Sequence, residues 1–380
     1  MAMPPRAPQL PHKLVHHGHE RYDEYYGMND RDDPQVLEYL TKENTYRQEG
    51  MRHTLDLQEE LYREIRGRIV EDDQSVPYFK RGFWYYVRYE EGQEHPIYAR
   101  KKDHLDHPEE LLIDANVGAQ QYDYYKVGGL SVSPDNQWLA LGIDTVGRRL
   151  YTLYFKNIAT GEFLEETIPQ TTGGGTWSAC GQYLFYSVKD DTLRPHAIRR
   201  HRIGSPVEED VELYREEDPT FVCGVAKTKS QEYILIGSHS TVADEYQYLK
   251  ASEPTRSFRT FLPRERGHEY GIAHAGDYWY IRTNRDQSPN FKLMRAPLQQ
   301  VNPSDWEEVI PHRPDVFLED VELFRDYLVT EERRVGLTRL CIQPWSGAPA
   351  HELEFSSETY TAGIGHNPDY ESTYLRYGYS

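Results

Sequence analysis

Serines set among glycines, a cluster of histidines, a glycine triplet and short arginine runs are the features of this sequence that could do chemistry. Gly129-Leu130-Ser131-Val132-Ser133 comes nearest to a hydrolase nucleophile elbow, which presents its serine on a strand-to-helix turn as Gly-x-Ser-x-Gly. It lacks the closing glycine and lies in an extended run, so a Ser-His-Asp triad has no elbow to be built on. His12 and His16 have the spacing of a zinc pair, with His17 and His19 beside them. The segment reads as a loop with no cysteine near to complete a ligand set, and its histidines are expected to bond to backbone or solvent. Gly173-Gly174-Gly175 is not followed by the Gly-Lys-Ser/Thr of a phosphate cradle. It reads as a turn into a strand at Thr176-Trp177.

The densest basic run is Arg199-Arg200-His201-Arg202. Alternate residues of a strand face opposite sides, so it cannot form one patch. A sheet edge with cross-strand ion pairs is expected, and contact with a partner domain is the sharper alternative. Asp144, with Arg148 and Arg149, sits in a turn between two strand-like runs. The aspartate can clamp the turn through its backbone N–H groups. These three residues are also the candidates for an interdomain contact, because loops carry function more often than cores do.

The elements that must position these groups follow from a repeat. A turn with Gly, Asp or Asn leads into an aromatic residue and an apolar strand. The lead aromatics are Trp84, Trp138, Tyr183, Tyr233, Tyr278, Tyr327 and Tyr374, spaced 45 to 54 residues apart. Seven units of that length match blades of four strands each. The fold class is therefore mainly β, a seven-bladed β-propeller over residues 76–380 behind a helical arm of residues 1–75, with no helix expected between 80 and 375. Glycine-rich inner strands suit blades that crowd around a channel. The seventh unit has an inner strand at Tyr360–His366 and a second at Thr373–Tyr379, and the sequence given stops at Ser380. That reads as a truncated blade and a fragment, whose open strand edge should favour association.

In the arm, Asp33 before Pro34 forms an N-cap with proline in the first turn. Val36, Leu37 and Leu40 share a face of the helix that follows. A second helix is expected from about Met51 to Arg66, with Met51, Leu55, Tyr62 and Ile65 on one stripe. These faces expect a partner.

A formal charge of −19, from 43 basic and 62 acidic residues, argues against nucleic acid as the main partner, since phosphate binding needs clustered cations. Cys180, Cys223 and Cys341 are scattered and odd in number, as in a reducing compartment. The sequence has no apolar run of membrane-spanning length and no signal-peptide h-region. The expected location is the cytoplasm, with no cofactor, no metal and no membrane partner.

Against this background a resemblance enters. His17-Gly18-His19, Arg21, Asp23, Tyr25-Tyr26, Asp33-Pro34 and Glu43-Asn44 open a series. It continues through residues 64–69, Glu71-Asp72-Asp73, Val76-Pro77-Tyr78, 129–134 and 144–153. Residues 192–195, Arg200-His201-Arg202, 310–315, 336–339 and Leu375-Arg376-Tyr377 complete it. In order along nearly the whole chain, these resemble oligopeptidase B, of the prolyl oligopeptidase family of serine peptidases. The family usually has Trp-Leu where Gly27 and Met28 stand, which bears on how the arm docks. The resemblance implies a two-part enzyme that cuts short peptides after Lys or Arg. A propeller covers an α/β-hydrolase domain, the arm packs on that domain, and the triad lies beyond Ser380. The partners implied are the hydrolase domain of the same polypeptide and short basic peptides. The chain alone is expected to be inactive. The alternative is a stand-alone propeller that binds a protein or peptide, since fold does not fix function.

Overall fold

The aromatic-led repeat folds into seven antiparallel blades: four are separate four-stranded sheets, two share one long strand in a continuous seven-stranded sheet, and the last has two strands. The computed structural model describes residues 3–380 and divides into two units, Met1–Glu71 and Asp72–Ser380.

In the larger unit, blade one comprises Tyr78–Lys80, Phe83–Arg88, Ile97–Lys102 and Glu109–Asp114. Blade two has Lys126–Val132, Trp138–Asp144, Tyr151–Asn157 and the first part of Phe163–Trp177. Blade three begins with the end of that same strand and adds Tyr183–Lys189, Pro195–Arg202 and Val211–Arg215. Blade four runs Val222–Lys227, Tyr233–His239, Asp244–Lys250 and Arg259–Leu262. Blade five runs Tyr270–Ala275, Tyr278–Thr283, Lys292–Pro297 and Glu307–Ile310. Blade six runs Phe317–Leu323, Tyr327–Arg334, Leu337–Pro344 and His351–Glu352. Blade seven pairs Ala362–Ile364 with Tyr377–Tyr379.

Burial lies between neighbouring sheets. Leu153, Phe155, Trp177, Leu184 and Tyr186 fill the space between blades two and three. Tyr233, Phe261, Tyr270 and Trp279 do the same between four and five. This follows from the two-residue period of the strands, which sends alternate side chains to opposite faces. Blade one meets blade seven through side chains. Arg376 donates to the Val76 carbonyl at 2.6 Å, and the Tyr78 ring meets His366 edge-on at 4.7 Å between centroids.

Three readings of the sequence need correction in this unit. Gly173-Gly174-Gly175 is not a turn. It is the bulged middle of one 15-residue strand that leaves the outer edge of blade two and becomes the inner strand of blade three. Glycine is required where that strand crosses its neighbours. A Cβ on Gly142 would lie 2.2 Å from the Gly173 oxygen, and one on Gly129 would lie 2.6 Å from it. The second strand of blade seven starts at Tyr377, not Thr373, and Tyr374 is exposed. The Asn367 side chain holds the preceding backbone, accepting from Arg376 N and donating to Arg376 O. A one-turn helix, Ala115–Ala119, joins blades one and two where none was expected, capped by Asp114.

In the smaller unit, His12–His16 and His19–Asp23 form a hairpin rather than a loop. Its turn residues His17 and Gly18 both have positive φ, at 54° and 79°, which is the two-residue hairpin geometry. Asp33 caps the helix Pro34–Met51 as expected, accepting from Gln35 N at 2.8 Å. The second helix is Leu55–Arg66, and Met51 belongs to the first. The Thr54 hydroxyl bonds back to the Met51 carbonyl at 2.7 Å, marking the break. Val36 is buried, while Leu37, Leu40, Leu55, Leu61, Tyr62 and Ile65 are exposed. Leu10 occupies the space beside Gly27, 3.2 Å from where a Cβ would stand.

Candidate functional site

The inner strands of all seven blades run in the same direction around the ring. They finish at Lys80, Val132, Trp177, Lys227, Ala275, Leu323 and Ile364. Where they finish, six of the seven blades bound a cavity of about 460 Å³. Its chemistry is cationic. Lys80 and Arg81 come from blade one, Lys227 and Lys229 from blade four, Glu322 from blade six and His366 from blade seven. Each is placed by a strand end. Lys80 pairs with Phe83 across a two-residue turn, Arg81-Gly82, whose φ values are 49° and 82°. That turn carries the Arg81 guanidinium to the Gln231 side chain, to which it donates.

Lys229 is the one lysine of this group with a carboxylate, Glu322, at 2.8 Å. Its ammonium also lies 3.3 Å from the Phe324 ring centroid. Lys80 and Lys227 have no ion-pair partner among the described residues. Burial, with Arg81 nearby, pulls the Lys80 ammonium down to about 8. Burial and the charges of Arg81 and Lys80 pull Lys227 down to about 7. Burial raises the Glu322 carboxyl against the opposing pull of Lys229.

The residues singled out from sequence lie elsewhere. Asp144 pairs with Lys126, at the start of the inner strand of blade two. Three residues of strand, about 10 Å, separate it from Gly129, where the wall of the cationic cavity begins. Its carboxylate is fully buried and clamps its own turn, accepting from Val146 N at 2.9 Å, Gly147 N at 3.0 Å and Arg149 N at 2.6 Å. Arg148 and Arg149 are exposed there, and the Arg149 carbonyl accepts from Lys189. The basic run alternates as a strand should. Arg199 pairs with Glu212 across the sheet at 3.3 Å, and Arg200 donates to the Pro254 carbonyl.

His201, fully buried, lies between Asp210 at 2.7 Å and Glu166 at 3.3 Å. Burial lowers its proton affinity, but the two carboxylates more than offset that and raise it. Both ring nitrogens face carboxylates, so this imidazole serves no hydroxyl. One serine–histidine pair occurs among the described residues, Ser230 Oγ to His274 Nδ1 at 2.8 Å. His274 is buried against Tyr233 and Trp279, and burial lowers its proton affinity. Asp does not orient it and no elbow presents the serine, so general-base activation is not built here. Ser133 is buried as a turn clamp with Asp135. Among the described residues no group of His, Cys, Asp and Glu could hold a metal. His12 and His16 sit four residues apart on one strand, too far along it to share an ion. No helix among the described residues is long and apolar enough to cross a membrane.

The cationic cavity was not legible as a site, although a signal existed. Lys80 stands four residues before Trp84, and Lys229 stands four before Tyr233. Superposing the repeat on its lead aromatics would have brought both to one end of the ring.

Comparison with known proteins gives the ring its relatives. Residues 5–380 match the family described as prolyl oligopeptidase, N-terminal beta-propeller domain. Dipeptidyl aminopeptidase BI of Pseudoxanthomonas mexicana is 38% identical over all of this chain and 55% of its own length. Protease 2 of Moraxella lacunata is 31% identical over 97% of this chain and 54% of its own length. The structure of oligopeptidase B from Leishmania major superposes with a TM-score of 0.93 at 30% identity, covering 100% of this chain and 57% of that one. The chain thus spans about half the length of the curated relatives it matches.

Proposed function

Because the chain belongs to the prolyl oligopeptidase family through its N-terminal β-propeller domain, we propose that it is the non-catalytic propeller portion of an oligopeptidase B-like serine peptidase. The complete enzyme cleaves short peptides after Lys or Arg on an α/β-hydrolase domain, and the propeller restricts access to that active site. The observation that carries this reading is the likeness to oligopeptidase B over the whole chain, in sequence and in backbone. Two further features support it. The apolar stripe of the second helix, with Leu55, Tyr62 and Ile65 exposed, suits an arm that packs on the hydrolase domain. Arg148 and Arg149, held by the Asp144 clamp at the ring end opposite the cationic cavity, suit an interdomain contact. The site of action of the complete enzyme is the cytoplasm.

The test is the coding sequence past Ser380, with an assay of the chain itself. Two more strands followed by a Gly-x-Ser-x-Gly elbow are expected there. The purified 380-residue chain should not turn over an arginine-containing fluorogenic peptide, having no elbow-borne nucleophile. A stop codon at that point would overturn the reading in favour of a stand-alone peptide-binding propeller. So would turnover that co-purifies with the chain.

A further inference from the structure

We propose that the cationic end of the ring is a binding site for a small, multiply charged oxyanion of the phosphate class, held directly by the Lys80 and Lys227 ammonium groups and the Arg81 guanidinium. The chain carries 43 basic and 62 acidic residues, so a basic side chain has carboxylates in excess to pair with. Arg199, Arg264, Arg295 and Arg333 each do so. At this cavity the pattern reverses. Four cations from two blades converge and one carboxylate, Glu322, faces them, already bound to Lys229. Like charges gathered in a confined, partly desolvated space repel each other. A multivalent anion offsets that repulsion. A single carboxylate, such as a peptide C-terminus, would leave most of the cations unmatched.

The space agrees with the charge. About 460 Å³ lies within the range of small-ligand sites and holds one phosphate or a short chain of them. Gly129, Gly174, Gly175 and Gly365 form part of the wall, so no side chain fills it from those positions. Arg81 keeps its guanidinium oriented through Gln231, and a planar guanidinium matches a phosphate oxygen pair.

The site carries its own pH dependence. Burial pulls the Lys80 ammonium down to about 8 and the Lys227 ammonium down to about 7. Both must be ammonium to bind, so affinity falls as pH rises through that window and binding draws protons onto the lysines. The other groups facing them modify this without reversing it. Arg81 stays charged. Glu322 and Asp369 favour the charged form of Lys229, and Cys180 favours that of Lys227. His366, held down by partial burial and by Lys80, Arg376 and Lys229, adds a further proton below neutral pH.

Isothermal titration of the 380-residue chain with inorganic phosphate, tripolyphosphate and a nucleoside monophosphate tests this at low ionic strength. Saturable binding is expected, strongest for tripolyphosphate, weaker by about tenfold or more at about pH 9 than at about pH 7.5, a window above the ligands' own phosphate titration near pH 6 to about 7. Runs in two buffers of different ionisation enthalpy should show proton uptake near pH 7.5 to about 8. Lys80→Met and Lys227→Met should each weaken binding about tenfold or more, and exposed Lys42→Met, in the arm, should not. Circular dichroism establishes that each variant is folded, and a variant that is not gives way to Lys→Gln at the same position. Equal affinity for the monophosphate and inorganic phosphate identifies a terminal phosphate as the ligand group. Preference for the inorganic anions identifies a free oxyanion. Absence of saturable binding overturns the proposal, as does binding without proton uptake or binding weakened equally by Lys42→Met.

Discussion

Glu216 gives the sharpest quantitative test of how the blades are held to each other. It follows the outer strand of blade three and is buried, 4% exposed. Its carboxylate accepts from Arg264 at 2.6 and 3.3 Å, from the Tyr214 hydroxyl at 2.7 Å, from Asp218 N at 3.0 Å and from the Ser238 hydroxyl. Ser238 and Arg264 belong to blade four, so one carboxylate ties two sheets. Burial pushes the carboxyl up, but these donors outweigh it and hold it at about 2 instead of 4.5. The ionised group then favours the folded state by about 3 kcal/mol. The sign follows from the depression. The contribution is fully present above 4.5 and is lost as pH falls toward 2. Glu216→Gln keeps the shape and removes the charge, leaving Arg264 with Glu245 at 3.7 Å. Urea unfolding followed by circular dichroism and tryptophan fluorescence should show the variant about 3 kcal/mol less stable at pH 7. That gap should close as both proteins are taken through the acid window. A gap below about 1 kcal/mol at neutral pH, or one that persists at about pH 2.5, would refute the assignment of this carboxylate as the tie.

Two further substitutions test packing. Trp279 is fully buried among Tyr233, Tyr248, Phe261 and His274, so Trp279→Ala should cost about 3 to 5 kcal/mol in chemical denaturation, and Trp279→Phe distinctly less. Gly142→Ala places a methyl 2.2 Å from the Gly173 oxygen and should lower the thermal midpoint by an amount equivalent to about 1 to 3 kcal/mol. Gly224→Ala, with open space around its Cβ, should leave it nearly unchanged.

What was legible in the sequence was whatever depends on neighbours along the chain. The lead aromatics located six of the seven second strands, because a two-residue alternation and a turn are local signals, and Tyr374 missed the seventh. Those six strands begin at or next to the predicted aromatic, as at Trp138, Tyr183 and Tyr233. Asp33-Pro34 announced its helix for the same reason. The errors came where local chemistry admits two outcomes. His17-Gly18 is a hairpin turn whose flanking strands, rich in histidine and charge, lack alternation. Gly173-Gly174-Gly175 carries the composition of a turn, yet lies at a bulge within a strand, with Gly173 at a φ of 87° and packed closely on Gly129 and Gly142. The cationic cavity was hidden for a different reason. Lys80 and Lys227 are separated by 147 positions in sequence and come together only when the ring closes. Neither belongs to a motif.

Ring closure also decides where this fold can hold chemistry at all. Between blades the space is filled by aromatic and aliphatic side chains at crystal-like density, as the clusters around Trp177 and Trp279 show. The charged groups placed there, such as Glu216 and His201, are held by hydrogen bonds to protein partners, which leaves them little bonding capacity for a ligand. The ends of the inner strands differ. They are parallel and converge on one axis, so residues contributed by separate blades meet without a core to desolvate them completely. Two cations per blade from all seven blades would be prohibitive, since a pair of unit charges about 8 Å apart repels by about 2 kcal/mol at an effective dielectric near 20. The ring instead concentrates four cations on blades one and four and sets a single carboxylate from blade six against one of them. The equivalent position four residues before the lead aromatic is Pro134, Ala179, His274 and Leu323 in blades two, three, five and six. The charge is therefore set by individual blades and not by the repeat, while the aromatic clusters between blades set how firmly the ring is held.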